Sequence, residues 1–528
     1  MKNKKMRTLL MLAIIGLFLC SCSTDKQLTW TLVPYPNDIT VQPGAFSFDQ
    51  GISISNNSDL LDSTAEHFRK KFENLGINIT EESVYRIHLE IVDSKSSSEE
   101  AYELTIDSEQ IKITASNPRG VFYGLMTVWQ QLSLSQSLEI PCGQIIDAPR
   151  FEYRGFMLDE SRHFFGKEKV MQLLDIMSSF KLNTFHWHLT DAPGWRIEIK
   201  ALPKLGTVGG IGNESNPNGS VQFYTQEEIA EIVAYAAERH ITIIPEIDMP
   251  GHATAANRAY PEFSGGGSEK RPDFTFNPGK EETYEYLTAI LREVSELFPS
   301  PYIHFGGDEV HFGNQQWGND KSIKALMKRE KLLNLKEVEQ YFSKRMADTI
   351  QSLGKITGAW DEVVNGGLSS ENTLVYWWRH DKPEQLSNSL KGGYNTILCP
   401  RRPLYFDFVQ HDTHTIGRRW DGFNPIQDVY LYPDSTHTFT AEELAFVKGI
   451  QACLWTAKVT STDWIDFMSF PRMMALAESA WTTSKNKNYS RFEKNLSNIF
   501  DYFDTLDIYY FNSLNDTLRI EPPINKGL

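Results

Sequence analysis

Two periodicities divide the chain. In its first part, Tyr85-Arg86-Ile87-His88-Leu89-Glu90-Ile91 alternates polar and apolar positions, as a half-exposed strand does. Residues 102–106 and 111–114 repeat the alternation, joined by the turn-like Asp107-Ser108-Glu109-Gln110. Residues 120–132 then read as a helix packing on that sheet, and Asp147-Ala148-Pro149-Arg150 marks a boundary. Beyond it the pattern changes. Short apolar runs predict strands at 155–158, 184–189, 242–246, 302–305, 355–360, 373–378, 396–398 and 450–455. Amphipathic helices lie between several of them. Val170, Leu173, Leu174, Met177 and Phe180 keep one apolar stripe, as do Ile229, Ile232, Val233 and Ala236. Strand–helix alternation of this kind predicts an α/β fold, a (β/α)8 TIM barrel over 149–528 with C-terminal helices, preceded by a small α+β domain at 23–148. A doubly wound open sheet fits the pattern second best, but no glycine-rich phosphate loop follows any strand.

The N-terminus belongs to neither unit. Lys2, Lys4, Lys5 and Arg7 precede an apolar run from Leu9 to Leu19, the n- and h-regions of a secretory signal, too short to span a bilayer as a stable helix. The run ends in Leu19-Cys20-Ser21-Cys22, which resembles a bacterial lipobox with Cys22 as the acylated residue. The expectation is a signal peptide at 1–22 and a protein exported to the bacterial periplasm or cell surface, held to the membrane only through lipid on Cys22. The 528-residue chain carries a net charge of −16, which argues against nucleic acid and against any extended polyanion held by general charge attraction. Cys142, Cys399 and Cys453 match no zinc or redox spacing and read as buried free thiols.

In a TIM barrel, chemistry sits where strands end. The predicted strand ends carry Asp159-Glu160-Ser161-Arg162, His186-Trp187-His188-Leu189-Thr190-Asp191, Glu246-Ile247-Asp248 with His252, and Gly306-Gly307-Asp308-Glu309. They continue with Trp360-Asp361-Glu362, Tyr376-Trp377-Trp378-Arg379, Tyr405-Phe406-Asp407 and Trp455. Asp-Glu thus occurs at 159–160, 308–309 and 361–362, each after an apolar run. Only 308–309 follows a glycine pair, which lets the backbone turn so that neighbouring carboxylates serve one pocket. Paired carboxyl groups are the equipment of glycoside chemistry, and flat tryptophans among carboxylates and an arginine suit a sugar ring. Other chemistries remain open on these residues. His186, His188, Asp191 and His252 could form a metal centre, and Glu246 and Asp248 could simply orient their neighbours.

Arg154-Gly155-Phe156-Met157-Leu158-Asp159-Glu160-Ser161-Arg162, His186-Trp187-His188-Leu189-Thr190-Asp191, Pro245-Glu246-Ile247-Asp248-Met249-Pro250-Gly251-His252 and His304-Phe305-Gly306-Gly307-Asp308-Glu309 together resemble glycoside hydrolase family 20, the β-N-acetylhexosaminidases. The resemblance extends to the small domain before the barrel. It implies an exo-acting enzyme without metal or other cofactor, cutting terminal β-linked GlcNAc or GalNAc from an amino-sugar oligosaccharide or glycoconjugate. It further implies retention through the substrate's own 2-acetamido oxygen, without an enzyme nucleophile. Glu309 would be the acid and then the base, Asp308 would orient the acetamido group, and Tyr405 would donate to the attacking oxygen. Trp360, Trp377 and Trp455 would wall the sugar, Arg162 and Asp407 would bind its hydroxyls, and Asp191 and His252 would support the acidic pair. One departure stands out: the family's usual Leu-Trp-Thr-Glu is here Leu454-Trp455-Thr456-Ala457-Lys458. The missing carboxylate would open the far end of the site to a 6-sulfated GlcNAc, met by Arg401 or Arg402, or to a second sugar and disaccharide release. Two rival classes are a retaining barrel glycosidase with a carboxylate nucleophile and an inactive glycan-binding lipoprotein.

Overall fold

The computed structural model describes residues 28–93, 98–420, 422–517 and 520–523. The expected signal peptide, with Cys22, lies outside the described residues.

The small domain is one mixed sheet with two helices. Its strands are β1 (Asp38–Ser47), β2 (Ser53–Asn56), β3 (Arg86–Ile91), β4 (Tyr102–Ile106), β5 (Gln110–Ala115) and β6 (Glu139–Asp147), in the order β1-β6-β4-β5-β3-β2. The alternation in the sequence becomes a buried face: Ile87, Leu89, Leu104, Ile106, Ile111 and Ile113 are all at most 1% exposed. Against this face lie α1 (Asp62–Asn74) and α2 (Pro118–Ser135). Asn117 caps α2 by accepting from the Arg119 amide, and Pro118 fills the first helical position, where no backbone donor is needed. α2 is buried on nearly every side because it is sandwiched between the sheet and the barrel, and Gln130 Nε2 reaches across to donate to the Ser179 carbonyl at 2.9 Å. Close approach to the sheet needs the glycine at 120, where a Cβ would stand 2.3 Å from the Ala101 carbonyl oxygen.

The barrel strands are β7 (Tyr153–Asp159), β8 (Thr184–His188) and β9 (Thr242–Glu246), then, after a short ribbon of β10 (Ser264–Gly266) and β11 (Thr275–Phe276), β12 (Tyr302–His304), β13 (Ile356–Trp360), β14 (Thr373–Trp377), β15 (Asn395–Leu398) and β16 (Val447–Leu454). Eight of them close a parallel barrel, β7-β8-β9-β12-β13-β14-β15-β16, so the predicted (β/α)8 fold is correct. Alternate residues face in and out. Met157, Ile244, Tyr376 and Cys453 fill the barrel, while Phe156, Phe185, Val375 and Trp377 face the surrounding helices. The predicted helical stripes are those of α3 (Lys167–Ser179) and α4 (Gln226–Ala237), the latter started by a Thr225–Glu228 capping box. Cys142, Cys399 and Cys453 are buried free thiols.

Charge fastens the small domain to the barrel. Arg154 on β7 is fully buried and donates to Glu100 Oε2 at 2.6 Å, to Lys181 O at 2.7 Å and to Phe151 O at 2.9 Å. Lys181 lies 3.3 Å from Asp147 Oδ2, which also accepts from Tyr102 and from the Trp481 indole, each at 2.9 Å. Both cations also lie over the Trp481 ring, at 4.9 and 4.4 Å. Removing one partner of such a pair strands the other charge in a medium that cannot solvate it. Glu100→Ala is therefore expected to cost about 3–5 kcal/mol in urea unfolding, and Glu100→Gln, which keeps neutral acceptor and donor groups, clearly less.

Candidate active site

The site grows from the end of β12. After His304 the chain runs through Phe305 to Gly306 and Gly307, whose φ angles are 74° and 92°, and Glu309 itself sits at φ 51°. A Cβ at residue 306 would stand 1.9 Å from Asp248 Oδ1, so turn and close approach both require glycine there. The left-handed backbone of Glu309 costs on the order of 1–2 kcal/mol. In return, two consecutive side chains face the same group: Asp308 Oδ2 and Glu309 Oε2 lie 3.5 and 3.8 Å from His252 Nε2. His252 passes its other nitrogen, Nδ1, to Asp191 Oδ1 at 2.9 Å.

Behind this pair runs a chain of alternating charges. Asp191 Oδ2 meets His188 Nε2 at 3.1 Å and Arg162 Nη2 at 2.6 Å. His188 Nδ1 meets Glu246 Oε2 at 2.7 Å. Glu246, fully buried, also accepts from the Trp360 indole at 2.9 Å and lies 3.0 Å from His186 and 3.1 Å from His304. Burial works against its charge, yet His188 and His304 hold its carboxyl well below the usual range. Burial likewise opposes the charge of His188, but Glu246 and Asp191 raise it to about 10, so it is an imidazolium at neutral pH. Asp191, held down by Arg162 and His252 against its burial, is a firm anion.

Asp308 differs. Burial raises its carboxyl, His252 opposes this, and Glu362 and Glu309 add repulsion, leaving it at about 7. Its Oδ1 and His252 Nε2 have no hydrogen-bond partner among the described residues, so both keep capacity for a polar group in the mouth.

The other two Asp-Glu pairs do structural work. Asp159 accepts from the Ser161, Arg162 and Thr456 amides, and Glu160 accepts from Tyr224 and the Trp187 indole. Asp361 takes Arg379 at 2.6 Å, while Glu362 accepts from the Trp378 indole at 3.1 Å.

That last contact corrects the sequence reading. Trp377, expected as a sugar wall, points outward from β14 into the helix layer, its ring 5.5 Å from His437. Its neighbour Trp378 has the inward parity of Leu374 and Tyr376 and lies parallel to Tyr405, ring centroids 6.3 Å apart and 11° between planes. The expected Trp360, Trp455 and Tyr405 do converge there: Trp455 lies 5.8 Å from Trp360 and 6.1 Å from Tyr405. Arg162 stands over the Trp455 ring at 5.0 Å. Asp407 is buried, raised by burial to about 6 although it pairs with Arg418 at 2.6 Å, and its Oδ1 has no partner among the described residues. The histidines considered for a metal do gather. His188, Asp191 and Asp248 bring ligand atoms within 4.8 Å of one another, and so do Asp248, His252 and Asp308. In this arrangement both nitrogens of His188 and Nδ1 of His252 are committed to carboxylates.

A buried carboxyl raised from its ordinary value makes the folded state bind a proton that the unfolded chain has already released, so stability falls as pH rises between about 4 and 7. Asp308→Asn removes that penalty. The variant is expected to be more stable than the parent by roughly 1–3 kcal/mol at pH 8, with the gain vanishing below pH 4, as read from urea midpoints across that range.

Comparison with known proteins bears on both domains. Residues 151–484 match "Glycosyl hydrolase family 20, catalytic domain", and residues 29–148 match "Glycosyl hydrolase family 20, domain 2". A β-hexosaminidase of Vibrio furnissii is 36% identical over 475 residues, covering 86% of this chain and 77% of the relative. One of Porphyromonas gingivalis is 32% identical over 501 residues, covering 91% of this chain, which spans only 64% of that relative's length. Among solved structures, the exo-β-N-acetylglucosaminidase of Vibrio harveyi in complex with N-acetylglucosamine superposes with a TM-score of 0.83 at 31% identity, over 92% of this chain and 78% of the other. The β-N-acetylhexosaminidase of Bacteroides fragilis gives 0.79 at 30%, over 91% and 96%. With both domains matched in order and the barrel mouth built as described, the chain belongs to glycosyl hydrolase family 20.

Proposed function

We propose that this protein is an exo-acting β-N-acetylhexosaminidase that releases terminal β-linked GlcNAc or GalNAc with retention, using the substrate's 2-acetamido group as nucleophile. One observation carries the reading: Asp308 and Glu309 face the same imidazole nitrogen, so they stand together on one side of the site rather than on opposite faces of a sugar. Glu309 gives its proton to the leaving oxygen as the acetamido oxygen attacks C1. Asp308, whose Oδ1 has no hydrogen-bond partner among the described residues, accepts from the amide N–H and balances the positive charge of the oxazolinium. Glu309 then removes a proton from water as that ring opens. Trp360, Trp378, Trp455 and Tyr405 surround the acetamido group and ring, and such alignment is worth up to about 7–11 kcal/mol of the barrier. The names of the Vibrio and Bacteroides relatives support the same substrate class. Export and tethering through Cys22 complete the proposal, placing the enzyme at a bacterial envelope facing amino-sugar glycans.

A second reading concerns the far end of the sugar. Ala457 supplies no carboxylate there, while Lys458 Nζ lies 3.3 Å from the Gly417 carbonyl, beside the Arg418–Asp407 pair. Arg401, considered for a sulfate, is taken up by Asp381 and stacks between Trp378 and Trp420 at 5.2 and 4.8 Å. Lys458, with no carboxylate partner among the described residues, is the better candidate to meet a 6-sulfate.

Initial rates on aryl β-glycosides test both readings. GlcNAc and GalNAc glycosides should be cleaved and the glucoside should not; a glucoside cleaved as fast would mean an enzyme nucleophile. Glu309→Gln should lower kcat by about 10²–10⁴-fold. A 6-sulfo-GlcNAc glycoside should be cleaved at least as fast as plain GlcNAc, and a clear preference for the plain sugar would dismiss the sulfate reading.

A further inference from the structure

Beside the proton donor, on the solvent side, stands a cation that the reaction described above does not use. Arg271 lies on the loop between β10 and β11, and its backbone is fixed by a turn: the Ser268 amide donates to Arg271 O at 3.0 Å, and the Arg271 amide to Ser268 Oγ at 3.2 Å. Gln316 pins the same loop by accepting from the Gly267 amide. The guanidinium is flanked by two rings, Phe274 at 5.2 Å and Phe312 at 4.7 Å. Phe312 follows Glu309 by three residues and is 41% exposed. Nη1 lies 3.7 Å from Glu309 Oε2, too far for a hydrogen bond, and the guanidinium makes none among the described residues. Its five donors are thus oriented by packing and left available, in a protein of net charge −16.

Position gives these donors a meaning. Glu309 must touch the glycosidic oxygen, so what lies next to Glu309 on the open side is the leaving sugar. An anionic group on the carbon adjacent to the linkage carbon stands about 3 Å from the glycosidic oxygen, the spacing of neighbouring substituents on a ring, and so falls within reach of Arg271. In a 4-linked uronic acid, the C5 carboxylate has this relation. We propose that Arg271 is a specificity-determining residue for the leaving group and selects a terminal N-acetylhexosamine linked to position 4 of an acidic sugar. This rests on the hexosaminidase reading of Asp308 and Glu309. A C5 carboxylate provides the charge at that distance, and a 6-sulfate carries it on the same branch two bonds further out, toward the exposed side of the guanidinium. Either forms a charge-assisted pair with the guanidinium and draws it from Glu309, leaving that carboxyl free to meet the glycosidic oxygen. Phe312 and Phe274 confine the guanidinium, whose planar fork suits two-point contact with a carboxylate.

The test compares kcat/KM for methyl glycosides of three disaccharides, GlcNAc β-1,4-linked to glucuronate, to glucose 6-sulfate or to glucose, with an aryl GlcNAc glycoside as reference. The parent should favour one or both acidic disaccharides over the glucose compound by about tenfold, the order of one charge-assisted pair at a partly exposed site. Which acid wins identifies the charge as carboxylate or sulfate. Arg271→Gln should bring that ratio close to one, Arg271→Lys should keep part of it, and 0.5 M salt should shrink it. Equal kcat/KM on all three disaccharides, preference for glucose, or a preference that survives in Arg271→Gln would each overturn the proposal while hydrolysis of the aryl GlcNAc glycoside kept the hexosaminidase reading. Failure on the aryl glycoside as well would remove both.

Discussion

Everything at the mouth of the barrel depends on the burial of one carboxylate, Glu246. A lone carboxylate with no exposure would shift its titration and become neutral rather than bear the desolvation cost. Here three histidines and the Trp360 indole surround it, and His188 answers its charge directly. That charge then propagates outward through Asp191 to His252 and the acidic pair. Each link constrains the next, so Asp308 and Glu309 face a framework in which Glu246, His188 and Asp191 answer one another's charge. Strands from four parts of the chain supply the links, and the β9–β12 pairing, where His304 stands in register with Glu246, brings two of them together.

Charge along the chain alternates in sign with depth, and this gives neighbouring acids different characters. Asp191 is firmly ionised because two cations face it, whereas Asp308 lies among carboxylates and takes a proton far more easily. The same dipeptide shows the range of outcomes. At 159–160 it caps backbone amides and closes a buried cluster, at 361–362 it holds Arg379 and aims Trp378, and at 308–309 it leaves Asp308 Oδ1 without a hydrogen-bond partner among the described residues. What separates the three is the backbone before them. Only Gly306-Gly307 supplies positive φ; Asp361 and Glu362 also meet one group, Arg379 at 2.6 and 3.6 Å, but that group is a cation that takes up their charge.

The small domain contributes through mechanics rather than contact with the site. Its helix α2 fills the space beside the barrel, and the buried pairs Arg154–Glu100 and Lys181–Asp147 join the domains where β7 and β8 begin. Those two strands end in Arg162 and in the His188–Asp191 segment, so a loosened interface would be felt at the mouth.

The sequence by itself determined the layout. Short apolar runs and helical stripes located all eight barrel strands, because these patterns follow from local backbone geometry, and the family resemblance singled out Asp308, Glu309, Tyr405, Arg162, Asp191 and His252 among the residues after the strands. Parity was legible too: Trp378, two residues after Tyr376, had to share its face, and Trp377 could not. Contacts between distant segments had no such local signal. That Glu246 would meet three histidines, that Glu362 would aim Trp378, and that Arg271 would stand beside Glu309 follow from barrel closure and loop docking, which at this mouth join residues as far apart as Asp159 and Thr456, 297 positions. Those choices belong to the tertiary structure, since electrostatic pairing depends on distance in space and burial, neither of which spacing along the chain encodes.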